Sequence, residues 1–131
     1  MKKKISRKNL VKRLDNVFSL YIRLKDSDNE MVECFTCGKI AHYKNNMQCG
    51  HFQSRKFYAT RWDVDNCKVQ CKSCNVYKYG EQYKFGLRLD KEIGNNISEK
   101  LLIKSRKTIK YSNHDLQEMI LYYNNLLNQL I

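Results

Sequence analysis

Cys34-Phe35-Thr36-Cys37-Gly38 and Cys71-Lys72-Ser73-Cys74-Asn75 decide how this chain folds. A thiolate pair two residues apart grips one zinc ion from a tight turn, and two such pairs complete a tetrahedron with no open position. Cys34, Cys37, Cys71 and Cys74 are therefore read as one structural zinc site that staples the middle of the chain and supplies much of its stability. In an ordinary four-cysteine finger roughly a dozen residues separate the pairs. Here residues 38 to 70 intervene, a loop long enough to carry a task of its own. Cys49 and Cys67 lie within it and are read as small buried thiols. The alternative for either is to replace a ligand, or to hold a second metal with His42 or His51.

Outward from this centre the pattern becomes helical. Leu10, Leu14, Val17, Phe18, Tyr21 and Ile22 follow the N-cap candidate Ser6 at helical spacing, so residues 8–25 read as an amphipathic helix with Lys8, Lys12, Arg13 and Arg23 on its polar side. Residues 30–80 form the zinc-braced centre, where cysteines, turn residues and short apolar pairs alternate. Residues 81–131 turn helical again: Tyr83, Leu87 and Leu89 mark one side up to Ile93-Gly94, and Leu101, Leu102 and Ile103 form a short piece after Ser98. Ser112 to Asp115 read as a capping box opening a last helix, whose stripe is Leu116, Ile120, Tyr123, Leu127 and Leu130. That stripe reads as core before it reads as a dimer seam.

The 131 residues have room for one domain with a modest core. Lys and Arg number 25 against 13 Asp and Glu, a formal charge of +12, which favours a polyanionic partner, nucleic acid first. No stretch approaches the roughly 20 apolar residues of a membrane span, and Met1-Lys2-Lys3-Lys4 leads into no apolar segment of an export signal. A cytoplasmic location is expected, in which six cysteines are metal ligands or free thiols and not disulfides.

The chemistry lies between the two cysteine pairs. Gly50-His51-Phe52-Gln53-Ser54-Arg55 supplies a histidine beside a glycine, and Asp65-Asn66-Cys67-Lys68-Val69-Gln70 leads into the second pair, which ends in Asn75. This order resembles the HNH nucleases, whose ββα-metal fold is often braced by zinc. Cys34 to Gly38, Gly50-His51-Phe52, Arg61-Trp62-Asp63, Asp65-Asn66, Gln70-Cys71 and Cys74-Asn75 look like the phage NinG (Rap) recombination proteins. That likeness extends from the first helix to the last, and it implies that the lambda member carries an additional N-terminal segment relative to this chain.

The resemblance implies an α+β protein: a zinc-stapled HNH-like ββα-metal core, a short β-hairpin plus a helix, flanked by N- and C-terminal helices. It implies a metal-dependent, structure-selective endonuclease acting on branched recombination intermediates such as Holliday junctions. His51 matches the general base, a task that suits an imidazole titrating near neutrality. Asn66 matches the residue whose amide holds the loop carrying that histidine. Asn75 matches an oxygen ligand to the catalytic divalent ion, magnesium or manganese. Generic HNH sites place an Asp or another ligand immediately before the base, where this chain has Gly50, so Asp63 or Asp65 is the candidate for the missing carboxylate.

Arg55, Lys56, Arg61, Lys68, Lys72 and Lys78 surround these motifs, interleaved with Phe57, Tyr58, Trp62 and Tyr77, and are expected to face DNA phosphates. Lys2, Lys3, Lys4, Arg7 and Lys8 add a basic arm. A homodimer would suit a symmetric junction. The competing readings are a non-catalytic zinc module that binds DNA or protein through the same cations, and a structural zinc protein with little affinity for DNA.

Overall fold

The structure is a computed structural model that describes residues 4–130. Lys2 and Lys3 of the basic arm lie outside the described residues. Ser6 opens α1 (Arg7–Leu24): its extended backbone presents the hydroxyl to the Asn9 N–H at 3.2 Å, satisfying a donor that a helix start leaves without an internal partner. Leu10, Leu14, Phe18 and Ile22 recur every fourth residue and form one fully buried ridge. This ridge packs against α5 (Asn113–Leu130), whose inward face is Leu116, Tyr123 and Leu127. Each fully buried apolar side chain contributes about 1.5–3 kcal/mol, so the pairing ties the two ends of the sequence together firmly. Ser112 and Asp115 form a reciprocal capping box: the Ser112 N–H donates to Asp115 Oδ2 at 2.9 Å, and the Asp115 N–H to Ser112 Oγ at 3.0 Å.

Two small antiparallel sheets fill the centre, making the fold α+β. β1 (Met31–Glu33) pairs with β2 (Ile40–His42), and the first cysteine pair occupies the turn between them. Gly38 closes that turn at φ +81°, where side chains rarely fit, and donates its N–H to the Cys34 carbonyl at 2.9 Å. β3 (Met47–His51) pairs with β4 (Cys67–Cys71) in a register running from Met47 opposite Cys71 to His51 opposite Cys67. His51 and the second cysteine pair therefore sit at opposite ends of one ladder, about 13 Å apart along the strand. α2 (Tyr58–Arg61) and a 3-10 turn (Val64–Asn66) connect these strands. Beyond β4 come a π-helical turn (Ser73–Tyr77), α3 (Gln82–Glu92) and α4 (Ile97–Ser105).

α3 buries only part of the side expected. Leu89 is inaccessible as expected, but Tyr83 is 80% exposed and Leu87 54%, and the inaccessible partner of Leu89 is Phe85, the two packing on Phe35 and Leu101. Tyr83 and Leu87 each stand two residues, about 200° around a helix, from the buried Phe85 and Leu89 respectively. The ring of Phe35, in the first cysteine turn, selects Phe85 at a centroid distance of 5.2 Å. Among the described residues no helix is long and apolar enough to cross a membrane.

One buried polar side chain braces the centre. Gln70 is inaccessible, and its Nε2 donates to the Gly80 carbonyl at 2.8 Å and to Thr36 Oγ1 at 3.1 Å, joining the two cysteine turns. Its Oε1 lies 2.0 Å from where a Cβ on Gly50 would stand. Because Gln70 is held at its far end and cannot swing away, Gly50→Ala is expected to lower stability by about 1–3 kcal/mol in urea titrations.

Candidate functional site

Each of Cys34, Cys37, Cys71 and Cys74 places its sulfur within 4.8 Å of the other three, and Cys37 Sγ lies 3.7 Å from Cys71 Sγ. A zinc ion at 2.3 Å from four sulfurs separates them by about 3.8 Å, so the cluster is already metal-sized. Burial pushes the Cys34 thiol up, but the N–H of Cys71, the Thr36 hydroxyl and the N–H groups of Thr36 and Cys37 outweigh it and bring the group down to about 6. Burial raises Cys37, and raises Cys74 to about 12. Four touching sulfurs cannot all ionise alone; a dication among them removes that conflict. The cluster can hold a structural zinc.

A cavity of about 430 Å³ opens between α1, β3 and the π-helical turn, lined by Asp15, Ser19, Gln48, His51, Arg55 and Asn75 among others. His51 Nε2 lies 2.9 Å from the Arg61 carbonyl oxygen. A carbonyl only accepts, so Nε2 carries the hydrogen and Nδ1 keeps its lone pair. Burial holds the imidazole pKa below its ordinary value, with the Arg61 carbonyl opposing and the Arg55 charge assisting, so the ring is neutral at pH 7. Asn75 donates Nδ2 to Gln48 Oε1 at 2.7 Å, which leaves its carbonyl oxygen to offer.

Asn66 does not line the cavity. It is fully buried: Oδ1 accepts the Gln53 N–H at 2.7 Å, and Nδ2 donates to the carbonyls of Gln53 and Thr60, each at 3.0 Å. These bonds fix the loop that leaves His51.

Asp15, on α1, is a site residue that the sequence alone does not reveal. Its Oδ1 accepts from Arg61 Nε at 3.1 Å and Trp62 Nε1 at 2.9 Å, and Oδ2 accepts from Arg61 Nη2 at 2.6 Å. The carboxylate thus fixes the Arg61 side chain while the Arg61 backbone fixes His51. Hydrogen bonding to Asp15 raises the Arg61 guanidinium above its ordinary value, against the burial that lowers it. The one signal in the sequence is that Asp15 is the sole acid in α1. Asp15→Asn is expected to cost about 1.5–3 kcal/mol, the range for a hydrogen bond to a charged group, seen as a lower unfolding midpoint.

The family model described as Bacteriophage Lambda NinG protein matches residues 1–131. The chain belongs to the NinG family. No curated protein and no solved structure matches it.

The cations of this NinG-family chain divide into groups. Arg55 stands at the cavity with its Nη1 4.0 Å from Asp15 Oδ2, and Lys56 is exposed beside it over the Phe57 ring. Lys72 and Lys78 are exposed on either side of the π-helical turn that carries Asn75. Arg61 is committed to Asp15 and largely buried. Lys68 is half-buried over the Phe35 ring in a separate cleft with Arg88 and Glu92. Neither Asp63 nor Asp65 reaches the cavity: Asp63 accepts the Asp65 N–H at 2.9 Å and pairs with Lys104 at 2.6 Å, and Asp65 is exposed. The place an Asp at position 50 would occupy is filled by Gln70, and the carboxylate at the cavity is Asp15.

Proposed function

We propose that this protein is an HNH-type endonuclease, dependent on magnesium or manganese and braced by zinc at Cys34, Cys37, Cys71 and Cys74. It hydrolyses phosphodiester bonds in branched recombination intermediates such as four-way junctions. The observation that carries this reading is that His51, neutral and oriented, and Asn75, distant in sequence, line one open cavity with Arg55 beside them. The β3–β4 hairpin followed by the π-helical turn has the element order of a ββα-metal core, and π-helical turns are frequent at functional sites. The charge of +12 and the family membership support a DNA substrate, and the recombination role of the family that the sequence resembles supports the branched form.

In this reading His51 Nδ1 takes the proton of the attacking water, while the Arg61 carbonyl holds the Nε2 hydrogen and so favours the imidazolium that forms. Asn66 keeps the loop after His51 from moving during that transfer. Arg55, exposed at the cavity, binds a phosphate beside the reacting one. A hard divalent ion would be held by the Asn75 oxygen and by Asp15, whose Oδ2 keeps an acceptor site after three of about four are taken. When bound it supplies charge stabilisation to the scissile phosphate and the leaving oxygen.

The test incubates the zinc-loaded protein with four-way junction, Y-form and linear duplex DNA in magnesium or manganese. Junction cleavage that needs the ion is the expected result. Asn75→Ala is expected to move the metal dependence to higher concentration with DNA binding retained. Tight binding without cleavage in either ion would overturn the nuclease reading and leave a zinc module that binds DNA.

A further inference from the structure

We propose that Cys49, His51 and Cys67 form a second metal site, for a soft ion of the zinc class, and that filling it removes His51 from hydrolysis. The last clause rests on the role given to His51 above; the site itself does not.

Strand geometry assembles the three donors. Cys49 and His51 are two apart on β3 and share a face of the sheet, and Cys67 stands directly opposite His51 on β4. One ligand atom from each lies within 4.8 Å of the others. Zinc would hold a sulfur–sulfur pair at about 3.8 Å and a sulfur–nitrogen pair at about 3.6 Å, which asks for a contraction of at most about 1 Å. Two thiolates and an imidazole select zinc or another soft ion over magnesium.

The surroundings resemble those of a metal site. The imidazole gives its hydrogen to the Arg61 carbonyl, the usual partner that orients a ligating histidine. Asn66 Nδ2 donates toward Cys67 Sγ at 4.0 Å, a bond that a thiolate would strengthen. Cys49 and His51 line the cavity and Cys67 lies fully buried behind them, so an ion enters from the cavity and keeps its fourth position there. This is the three-ligand, one-open pattern, in contrast to the closed four-cysteine site. Each cysteine loses its thiol proton to solvent as the ion binds, with no change of oxidation state. The His51 lone pair can hold an ion or accept a proton from water, but not both.

The experiment titrates Co²⁺ into the full chain already holding one equivalent of zinc, following the visible bands of thiolate-bound cobalt. Zinc binds such sites more tightly than cobalt, so the four-cysteine site stays filled. The expected result is one further equivalent in the parent protein and its loss in Cys49→Ala, with Cys49→Ser as a second variant and circular dichroism reporting the fold. No second equivalent, or one that survives both substitutions, overturns the site. In the cleavage arm a second equivalent of zinc is expected to suppress junction cleavage at least tenfold in the parent and not in Cys49→Ala. Binding at Cys49 with cleavage undiminished overturns the coupling to His51. If no cleavage occurs under any ion, the nuclease reading fails while the cobalt titration still decides the site.

Discussion

Stripping the four-cysteine cluster of zinc is expected to unfold the centre of the protein, from β1 through the π-helical turn. The buried cluster there is Val32, Cys34, Ala41, Met47, Cys71 and Cys74, half of it cysteine, with Tyr43 and Val69 at its margin. So small an apolar core cannot offset the entropy of ordering the two hairpins. Zinc binding to four thiolates is worth about 10–16 kcal/mol at pH 7, comparable with the whole stability of a small domain. A strong chelator, or Cys71→Ser, is therefore expected to abolish the cooperative thermal transition of this region in circular dichroism and to collapse its amide dispersion in NMR. The exposed ligand Cys37 gives a milder route, since Cys37→Ser removes one thiolate without opening a cavity. An unchanged melting curve after complete zinc removal would refute the stapling role.

His51→Ala is expected to lower junction cleavage by about 10²–10⁴-fold, the range for loss of a positioned general base, or about 2.7–5.5 kcal/mol of transition-state stabilisation. Binding to the same junction should persist, because the proposed reading assigns phosphate binding to Arg55, Lys56, Lys72 and Lys78 and not to His51. The substitution also removes the hydrogen bond to the Arg61 carbonyl, so a structural loss must be separated from a chemical one. His51→Gln makes that separation: its amide can donate to the carbonyl but cannot accept a proton near neutrality. Cleavage lost in both variants with melting temperature kept in His51→Gln identifies the base. Cleavage retained in either assigns the proton transfer elsewhere.

The parts of this molecule that the sequence made legible are those governed by short covalent spacing. The paired cysteines announce their cluster because two residues between thiols suit one metal, and α1 and α5 announce themselves because their apolar stripes run for more than about three turns. On α3 the same logic puts Tyr83 and Leu87 beside Leu89, and only the distant Phe35 ring shows that the core takes Phe85 with Leu89 instead. Asp15 was hidden for a related reason. Its partners Arg61 and Trp62 lie across the fold, and an acid on the polar side of a basic helix looks solvated until tertiary structure brings them together. Composition places Arg61 among the DNA-facing cations, yet its guanidinium is held by Asp15. Motif order picks out His51 and Asn75; their shared cavity depends on how β3 and the π-helical turn meet.

Gln70 has a consequence for which changes this site can accept and in what order. A carboxylate introduced at position 50 would meet a buried amide anchored at Thr36 and Gly80, so Gly50→Asp alone destabilises the hairpin instead of supplying a ligand. Truncation at 70 makes room but unties the two cysteine turns. Positions 50 and 70 are thus epistatic. A lineage or a designer moving from the glycine form to an acid-bearing form must first relieve position 70 and leave the turns to whatever metal the four cysteines can hold, and the strength of that binding would set how far the intermediate can be tolerated.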